Sequence, residues 1–125
     1  MIVLDTSALL ALIFNEPGSK TVEQSLSDAR LSAVSLSEAI SKLIDRGFTL
    51  DQARATITKL PLAIVAFDTE LALIAASFRP ATKRLGFSFA DRACLALARH
   101  SGATALTADR AWGDVDLGVV VTIVR

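Results

Sequence analysis

The sequence lacks the features of secreted proteins, membrane-spanning proteins and strongly basic nucleic-acid-binding proteins. Cys94 is the only cysteine, so no intrachain disulfide can form and a reducing cytoplasm is expected. Charged residues interrupt every apolar stretch well before the ~18 residues of a transmembrane helix. Asp5 and Glu16 likewise interrupt the apolar run that a signal peptide would need. Thirteen basic and thirteen acidic residues cancel, which excludes a strongly basic protein but permits a local basic patch.

The chain also lacks internal repeats, low-complexity tracts and Pro/Gly-rich linkers that would divide its 125 residues. A chain of this length buries roughly two-thirds of the surface that its unfolded form exposes. We therefore expect a single domain over residues 1–125 and no membrane association.

Short apolar runs alternate along the chain with segments of helical periodicity. We predict five strands, each largely apolar on both faces, at Ile2–Leu4, Leu31–Val34, Leu62–Phe67, Thr104–Leu106 and Val119–Val124. Helices are predicted at Ser7–Phe14, Ser19–Asp28, Leu36–Arg46, Asp51–Leu60, Thr69–Phe78 and Phe89–Ser101. This alternation implies right-handed crossovers and a parallel sheet. The expected fold is α/β, with three α/β/α layers and a central, mostly parallel five-stranded sheet.

Four acidic residues stand where predicted strands end or predicted helices begin. Asp5 and Asp109 follow strands, whereas Glu38 and Asp91 lie at the start of helices. In a parallel sheet these positions share one edge, so the four carboxylates can converge there. Asp5, or Ser7 behind it, could instead simply cap the following helix.

Simpler explanations exist for the other three acids as well. Ser35 and Glu38 fit the S-x-x-E capping box, and Ser88 precedes Asp91 at the same spacing. An acid in the first turn also suits the helix dipole. Asp109 can form a turn through its own side chain. Capping therefore remains an alternative for each acid taken singly.

Capping gives no reason to gather the four acids at one edge. Two carboxylates ~5 Å apart repel by about 3 kcal/mol at an effective dielectric of 20. Mg²⁺ and Mn²⁺ prefer carboxylate and water oxygens, and would offset this repulsion. Such a site can activate a water and neutralise charge on a phosphoryl group. Taken together, the acids favour a divalent-metal site.

Four segments resemble the signature blocks of PIN-domain ribonucleases, and most closely those of VapC-like toxins from bacterial toxin–antitoxin pairs. The segments are "MIVLDTSALLAL", "SLSEAI", "FSFADRACLALA" and "LTADRAW". They occur in the family's order, and the resemblance extends from Met1 to the last strand. It implies a Mg²⁺- or Mn²⁺-dependent endoribonuclease, of a family that commonly acts on transfer or ribosomal RNA.

The resemblance also implies roles for individual residues. The residues that match the family's acidic quartet are Asp5, Glu38, Asp91 and Asp109. Asp5 and Asp91 match the direct metal ligands, and the other two would complete the shell or orient the attacking water. Ser7 and Thr107 match the small hydroxyl residues that accompany the quartet.

We expect the chain to form a homodimer and to bind a cognate antitoxin. Toxins of the family that it resembles generally do both. The mean hydropathy of +0.50 is also high for a chain this small, so apolar surface is expected to lie between subunits or under an amphipathic partner helix.

Several basic residues lie close to the proposed acids in the sequence. Arg92 and Arg110 each follow a member of the quartet, so they can contact RNA phosphates or pair with nearby carboxylates. Lys83 and Arg84 form a small basic cluster, which is either solvated or an RNA-positioning patch.

Three residues that invite functional roles are assigned structural ones. We expect His100 to be solvated at a helix C-terminus rather than a general base. Cys94 is expected to be an inert buried thiol. Trp112 is expected to pack over the sheet rather than stack on an RNA base.

Two functions of other classes compete with the nuclease hypothesis. In a phosphotransferase, Asp5 would itself attack phosphorus, although such enzymes usually carry a second aspartate where Ser7 stands here. In a non-catalytic binding module, the acids would be helix caps and the apolar surface would bind a partner. Trapping an acyl-phosphate on Asp5, or finding no RNA cleavage with any metal, would favour one of these alternatives.

Overall fold

A five-stranded parallel sheet forms the centre of the computed structural model, which describes residues 1–125. Its strands are β1 (Ile2–Leu4), β2 (Ala29–Ser32), β3 (Ala63–Val65), β4 (Thr104–Thr107) and β5 (Val121–Ile123). They lie in the order β3-β2-β1-β4-β5, and every neighbouring pair is parallel. The predicted α/β class is confirmed, and the sheet is wholly rather than mostly parallel.

Seven α-helices connect and cover the strands. They are α1 (Thr6–Ile13), α2 (Ser19–Ser25), α3 (Ala33–Asp45), α4 (Leu50–Thr58), α5 (Thr69–Ser77), α6 (Arg79–Thr82) and α7 (Phe89–Ser101). Short 3₁₀ turns lie at Leu26–Asp28 after α2, at Lys83–Leu85 after α6 and at Arg110–Asp114 after β4. The longest helices, α3 and α7, have 13 residues each, and no helix could span a membrane.

The hydrophobic core is divided between the two faces of the sheet. Val3 and Leu4 are both fully buried, and they point to opposite faces because side chains alternate along a strand. Val3 packs in a cluster that includes residues of α5 and α7, whereas Leu4 packs with residues of α1 to α4. The predicted three-layer arrangement follows from this division.

The strand order reverses beside β1, which places a crevice at the carboxyl ends of β1 and β4. The chain first builds outward from β1 to β2 and β3, and then crosses to β4 and β5 on the other side. The Asp5 N–H donates to the Leu106 carbonyl at 2.9 Å, so the two strand ends stay side by side. Ligands of open α/β sheets bind at such a reversal point.

The start of α3 differs from the sequence prediction. Strand β2 ends at Ser32 rather than Val34, and the Ser32 side chain caps α3 by accepting from the Val34 N–H at 3.2 Å. The predicted capping box between Ser35 and Glu38 is therefore wrong, because Ser35 already lies inside the helix. Its buried hydroxyl oxygen has no hydrogen-bond partner.

Candidate active site

Asp5 is the most deeply buried member of the acidic quartet. Asp5 connects β1 to α1 and is 3% exposed. Its side chain makes no capping hydrogen bond. Instead, Oδ2 accepts from the Ser7 hydroxyl at 2.6 Å and from the Thr107 hydroxyl at 2.8 Å. The simple capping explanation for Asp5 does not hold, and the two hydroxyl residues predicted to support the quartet contact it directly.

The two hydroxyls are themselves held by the backbone that follows β4. The Ala108 N–H donates to Ser7 Oγ at 2.9 Å, and the Asp109 N–H donates to Thr107 Oγ1 at 3.0 Å. Each hydroxyl has one proton, and each donates it to Asp5. The 3.2 Å contact between the two hydroxyl oxygens is therefore not a further hydrogen bond while both donate. The network fixes the Asp5 carboxylate between α1 and the loop after β4.

Burial perturbs the ionisation of Asp5. Loss of hydration raises the pKa of Asp5 to about 6, and the nearby charge of Asp91 adds to the rise. The hydrogen bonds from Ser7 and Thr107 lower this pKa and offset part of the effect. The fold thus holds a carboxylate where its negative charge is poorly stabilised by solvent.

Asp91 lies in the first turn of α7 and takes part in a capping box. The Ser88 N–H donates to Asp91 Oδ2 at 2.8 Å, and the Asp91 N–H donates to Ser88 Oγ at 3.1 Å. The capping interpretation is correct for this residue. Burial nevertheless raises the pKa of Asp91, the Ser88 hydrogen bonds lower it, and the charges of Glu38 and Asp109 raise it further.

Glu38 and Asp109 occupy the more open side of the site. Glu38 is partly exposed on α3 and lines a cavity beside the N-terminus of α7. Asp109 is exposed and caps the following 3₁₀ turn, where its Oδ1 accepts from the Ala111 N–H at 3.0 Å. Their effects on the pKa of Asp91, together with the effect of Asp91 on Asp5, indicate that the four acids share one electrostatic environment.

The side chains of the acidic quartet do not converge on a single point. No group of three or more His, Cys, Asp or Glu side chains lies close enough together to hold a metal ion. One oxygen of Asp91 and one of Asp109 accept backbone N–H groups, which directs these carboxylates toward their helix starts. A carboxylate has two oxygens and about four acceptor positions, so capping leaves each with capacity for another ligand.

The acidic quartet has no basic partner. Neither of the two ion pairs in the structure includes one of its members. Arg92 and Arg110 make no ion pair, so their predicted alternative of carboxylate pairing does not occur. Arg92 instead places its guanidinium carbon 5.9 Å from the centre of the Phe89 ring. Lys83 and Arg84 are exposed in a 3₁₀ turn.

The three residues assigned structural roles occupy the expected environments. Cys94 is fully buried, and burial raises the pKa of its thiol well above the usual range. Trp112 is fully buried and stacks on Phe87, with ring centres 5.7 Å apart. His100 is exposed near the end of α7, with Nδ1 3.6 Å from Glu70. The sequence interpretation did not single out Phe89, whose exposed ring lies two residues before Asp91.

Comparison with known proteins identifies a family and several similar folds. The PIN domain profile matches residues 2–117, and no curated protein matches the sequence. A toxin–antitoxin complex from Klebsiella pneumoniae has a TM-score of 0.73 and 16% identity, covering 100% of this chain and 98% of that one. FitAcB from Neisseria gonorrhoeae has a TM-score of 0.65 and 25% identity, with coverage of 97% and 96%. VapC20 from Mycobacterium tuberculosis, a sarcin-ricin loop cleaving toxin, has a TM-score of 0.74 and 20% identity, with coverage of 91% and 94%.

Proposed function

The chain belongs to the PIN domain family, and on that premise we propose that it is a metal-dependent endoribonuclease and the toxin of a type II toxin–antitoxin pair. The main supporting observation is Asp5, a buried carboxylate with no basic partner, which two hydroxyls hold at the reversal point of the sheet. Helix capping does not explain this arrangement, because the Asp5 side chain makes no capping hydrogen bond to α1. A divalent cation would offset its electrostatic penalty.

Asp5 and Asp91 are the proposed direct ligands of Mg²⁺ or Mn²⁺, with Glu38 and Asp109 in the surrounding shell. Their oxygen donors suit these hard cations, and the absence of competing basic side chains supports the assignment. When bound, such a cation lowers the pKa of water and offsets charge on a phosphodiester. Because Asp91 and Asp109 retain free acceptor capacity beside their capping bonds, both can serve without unfolding their helix starts.

The protein residues would orient the reacting groups rather than attack the substrate. Ser7 and Thr107 donate to Oδ2 of Asp5, which fixes the orientation of the carboxylate. Ser7 itself disfavours the phosphotransferase alternative, because such enzymes usually carry a second aspartate at its position. Glu38 and Asp109 are open to solvent and can accept a proton from an attacking water. Arg92 and Arg110 are proposed to contact RNA phosphates.

The proposed substrate is transfer or ribosomal RNA in the cytoplasm, and the proposed partners are an antitoxin and a second copy of the chain. The similar folds of the Klebsiella toxin–antitoxin complex and of the loop-cleaving VapC20 support these assignments. Exposed apolar residues such as Leu50, Leu73 and Val120, together with the high mean hydropathy, supply surface for protein contacts.

The direct test is cleavage of purified transfer and ribosomal RNA with chelator, Mg²⁺ or Mn²⁺. We expect internal cuts only with a divalent metal, and none with Asp5→Asn. Asp45→Asn, on the last turn of α3 and outside the acidic quartet, is a matched control that should cut as wild type does. Cutting that is unaffected by chelator, or by Asp5→Asn, would contradict the proposal.

A further inference from the structure

A cavity of about 560 Å³ opens directly beside the acidic quartet. It lies between the first turns of α3 and α7. The residues that line it are Ala33, Val34, Ser37, Glu38, Ser88, Phe89 and Ala90. Glu38 belongs to the quartet, and Ser88 is the capping partner of Asp91, so any ligand in the cavity would lie next to the proposed reaction centre. Its volume is in the range of small-molecule sites.

Phe89 gives the cavity an exposed aromatic surface. The residue is 52% exposed and is the only large exposed aromatic residue of the chain. Its ring is held from one side by Phe67, with ring centres 5.4 Å apart and planes at 84°. The Arg92 guanidinium lies 5.9 Å from the ring centre. Phe89 is therefore positioned by its neighbours while a large part of it remains open to a ligand.

The chemistry of the lining favours a neutral planar ligand over an anion. Glu38 is the only charged residue in the lining, and its carboxylate would repel a phosphate. Ala33, Val34 and Ala90 add apolar surface, whereas Ser37 and Ser88 are polar residues of the lining. A flat ring with polar edges matches this combination, and unpaired bases of RNA are recognised by stacking on aromatic side chains.

We propose that this cavity binds one unpaired nucleobase of the RNA substrate, stacked on Phe89, and so positions the strand for cleavage at the acidic quartet. The inference rests on the proposed function, because it assumes that the ligand beside the quartet is RNA. It adds that substrates with an unpaired base next to the cleaved bond are preferred over fully paired ones.

Binding can be measured without cleavage by following fluorescence. The protein carries Phe89→Trp in an Asp5→Asn background, which leaves every residue that lines the cavity except Phe89 in place. The native Trp112 is fully buried, so the introduced indole reports on the cavity. We expect a short single-stranded RNA oligonucleotide to quench it and a fully abasic oligonucleotide of equal length and charge to leave it unchanged. Equal quenching by both, or by neither, would overturn the proposal.

Substitutions of Phe89 separate stacking from general apolar contact. Loss of one base–aromatic stack lowers affinity by about 5-fold to about 150-fold. We expect Phe89→Leu to raise KM for single-stranded RNA by such a factor with little change in kcat. Phe89→Tyr, which keeps an aromatic ring, should keep the wild-type KM. Ile44→Ala, which removes another exposed apolar side chain in the last turn of α3 and outside the cavity lining, is the matched control and should leave KM unchanged.

The outcomes distinguish failure of this inference from failure of the proposed function. If wild type cleaves RNA and Phe89→Leu does so with the same KM, the base subsite is wrong and the nuclease assignment stands. If wild type cleaves no RNA but base-containing oligonucleotides still quench the introduced indole, the subsite stands and the nuclease assignment fails. If Phe89→Leu alters only the mass measured by light scattering, the face is a contact between copies and the inference is overturned.

Discussion

The acidic quartet divides into an inner pair, Asp5 and Asp91, and an outer pair, Glu38 and Asp109. Burial raises the pKa of both inner carboxyls, whereas the outer pair lies partly or largely in solvent. No basic side chain offsets either pair. The fold therefore concentrates the unfavourable electrostatics on the two acids proposed as direct metal ligands. The pairs should accordingly differ in how strongly they affect activity and stability.

The largest difference is expected in RNA cleavage. Asp5→Asn and Asp91→Asn keep the size of the side chain but remove the anionic oxygen that a hard cation requires, so cleavage should fall below detection. Glu38→Gln and Asp109→Asn should retain activity reduced by about 10-fold to 100-fold, as for residues that support a metal site without holding it. Initial rates on one RNA at saturating metal measure both effects.

Folding must be intact for this comparison to have meaning. Asn at position 91 still offers an oxygen to the Ser88 N–H, so helix α7 should remain capped. Melting curves and circular dichroism of the four variants are expected to match those of wild type or to show higher stability. Near-normal cleavage by a folded inner-pair variant would refute the division of roles.

A second effect, of about 3 kcal/mol, is expected in the pH dependence of stability without metal. The pKa of Asp5 is about 6 in the folded protein and 3.8 as the reference value, so the native state binds more protons between these values. The free energy of unfolding should therefore fall as pH rises from about 4 to about 6. Asp91 contributes in the same direction.

Asp5→Asn removes the titrating group, so it should flatten this pH dependence and make the metal-free protein more stable than wild type at pH 7.5. Urea unfolding in chelator across this pH range is the measurement, with Asp45→Asn as a control that keeps the wild-type slope. Stability that rises with pH through the same window would show that Asp5 is not a desolvated carboxyl.

The smallest effect, about 1 kcal/mol for each substitution, concerns the two hydroxyls that hold Asp5. Ser7→Ala and Thr107→Val leave the N–H of Ala108 or of Asp109 without its acceptor. Both should lower the free energy of unfolding at pH 7.5 and shift the pH-dependent step upward, since these hydrogen bonds lower the pKa of Asp5. Thr107→Ser should restore wild-type behaviour. Unchanged titration in both Ser7→Ala and Thr107→Val would mean that the hydroxyls do not orient the carboxylate.

Sequence patterns predicted the elements whose boundaries depend on local signals. Strand β1 and helix α7 have the predicted bounds, because an aspartate ends one and the Ser88 cap and Gly102 delimit the other. The start of α3 was misplaced because Ala33 and Val34 suit a strand as well as a helix. Two serines, at 32 and 35, could also each begin the helix. Packing of α3 against the rest of the fold decides which serine begins the helix, and no local sequence signal reports that packing.

The positions of the four acids followed from predicted strand ends and helix starts, whereas the burial and contacts of each carboxylate did not. The Asp5 carboxylate is oriented by Thr107, which lies 102 residues away along the chain. The exposure of Phe89 depends on the gap between α3 and α7, and no local pattern reports that distance. Local patterns thus located the edge of the sheet, whereas only the family resemblance separated Asp5 and Asp91 from the other two acids.

The central claim, that the acidic quartet binds a divalent cation, is tested most directly by thermal melting with chelator, Mg²⁺ or Mn²⁺ at matched ionic strength. A cation that binds only the native state raises stability with its concentration, and it would also relieve repulsion within the inner pair. We predict that the Tm of wild type and of Asp45→Asn rises with millimolar metal, and that most of this rise disappears in Asp91→Asn. A wild-type Tm that moves with neither metal would contradict the account.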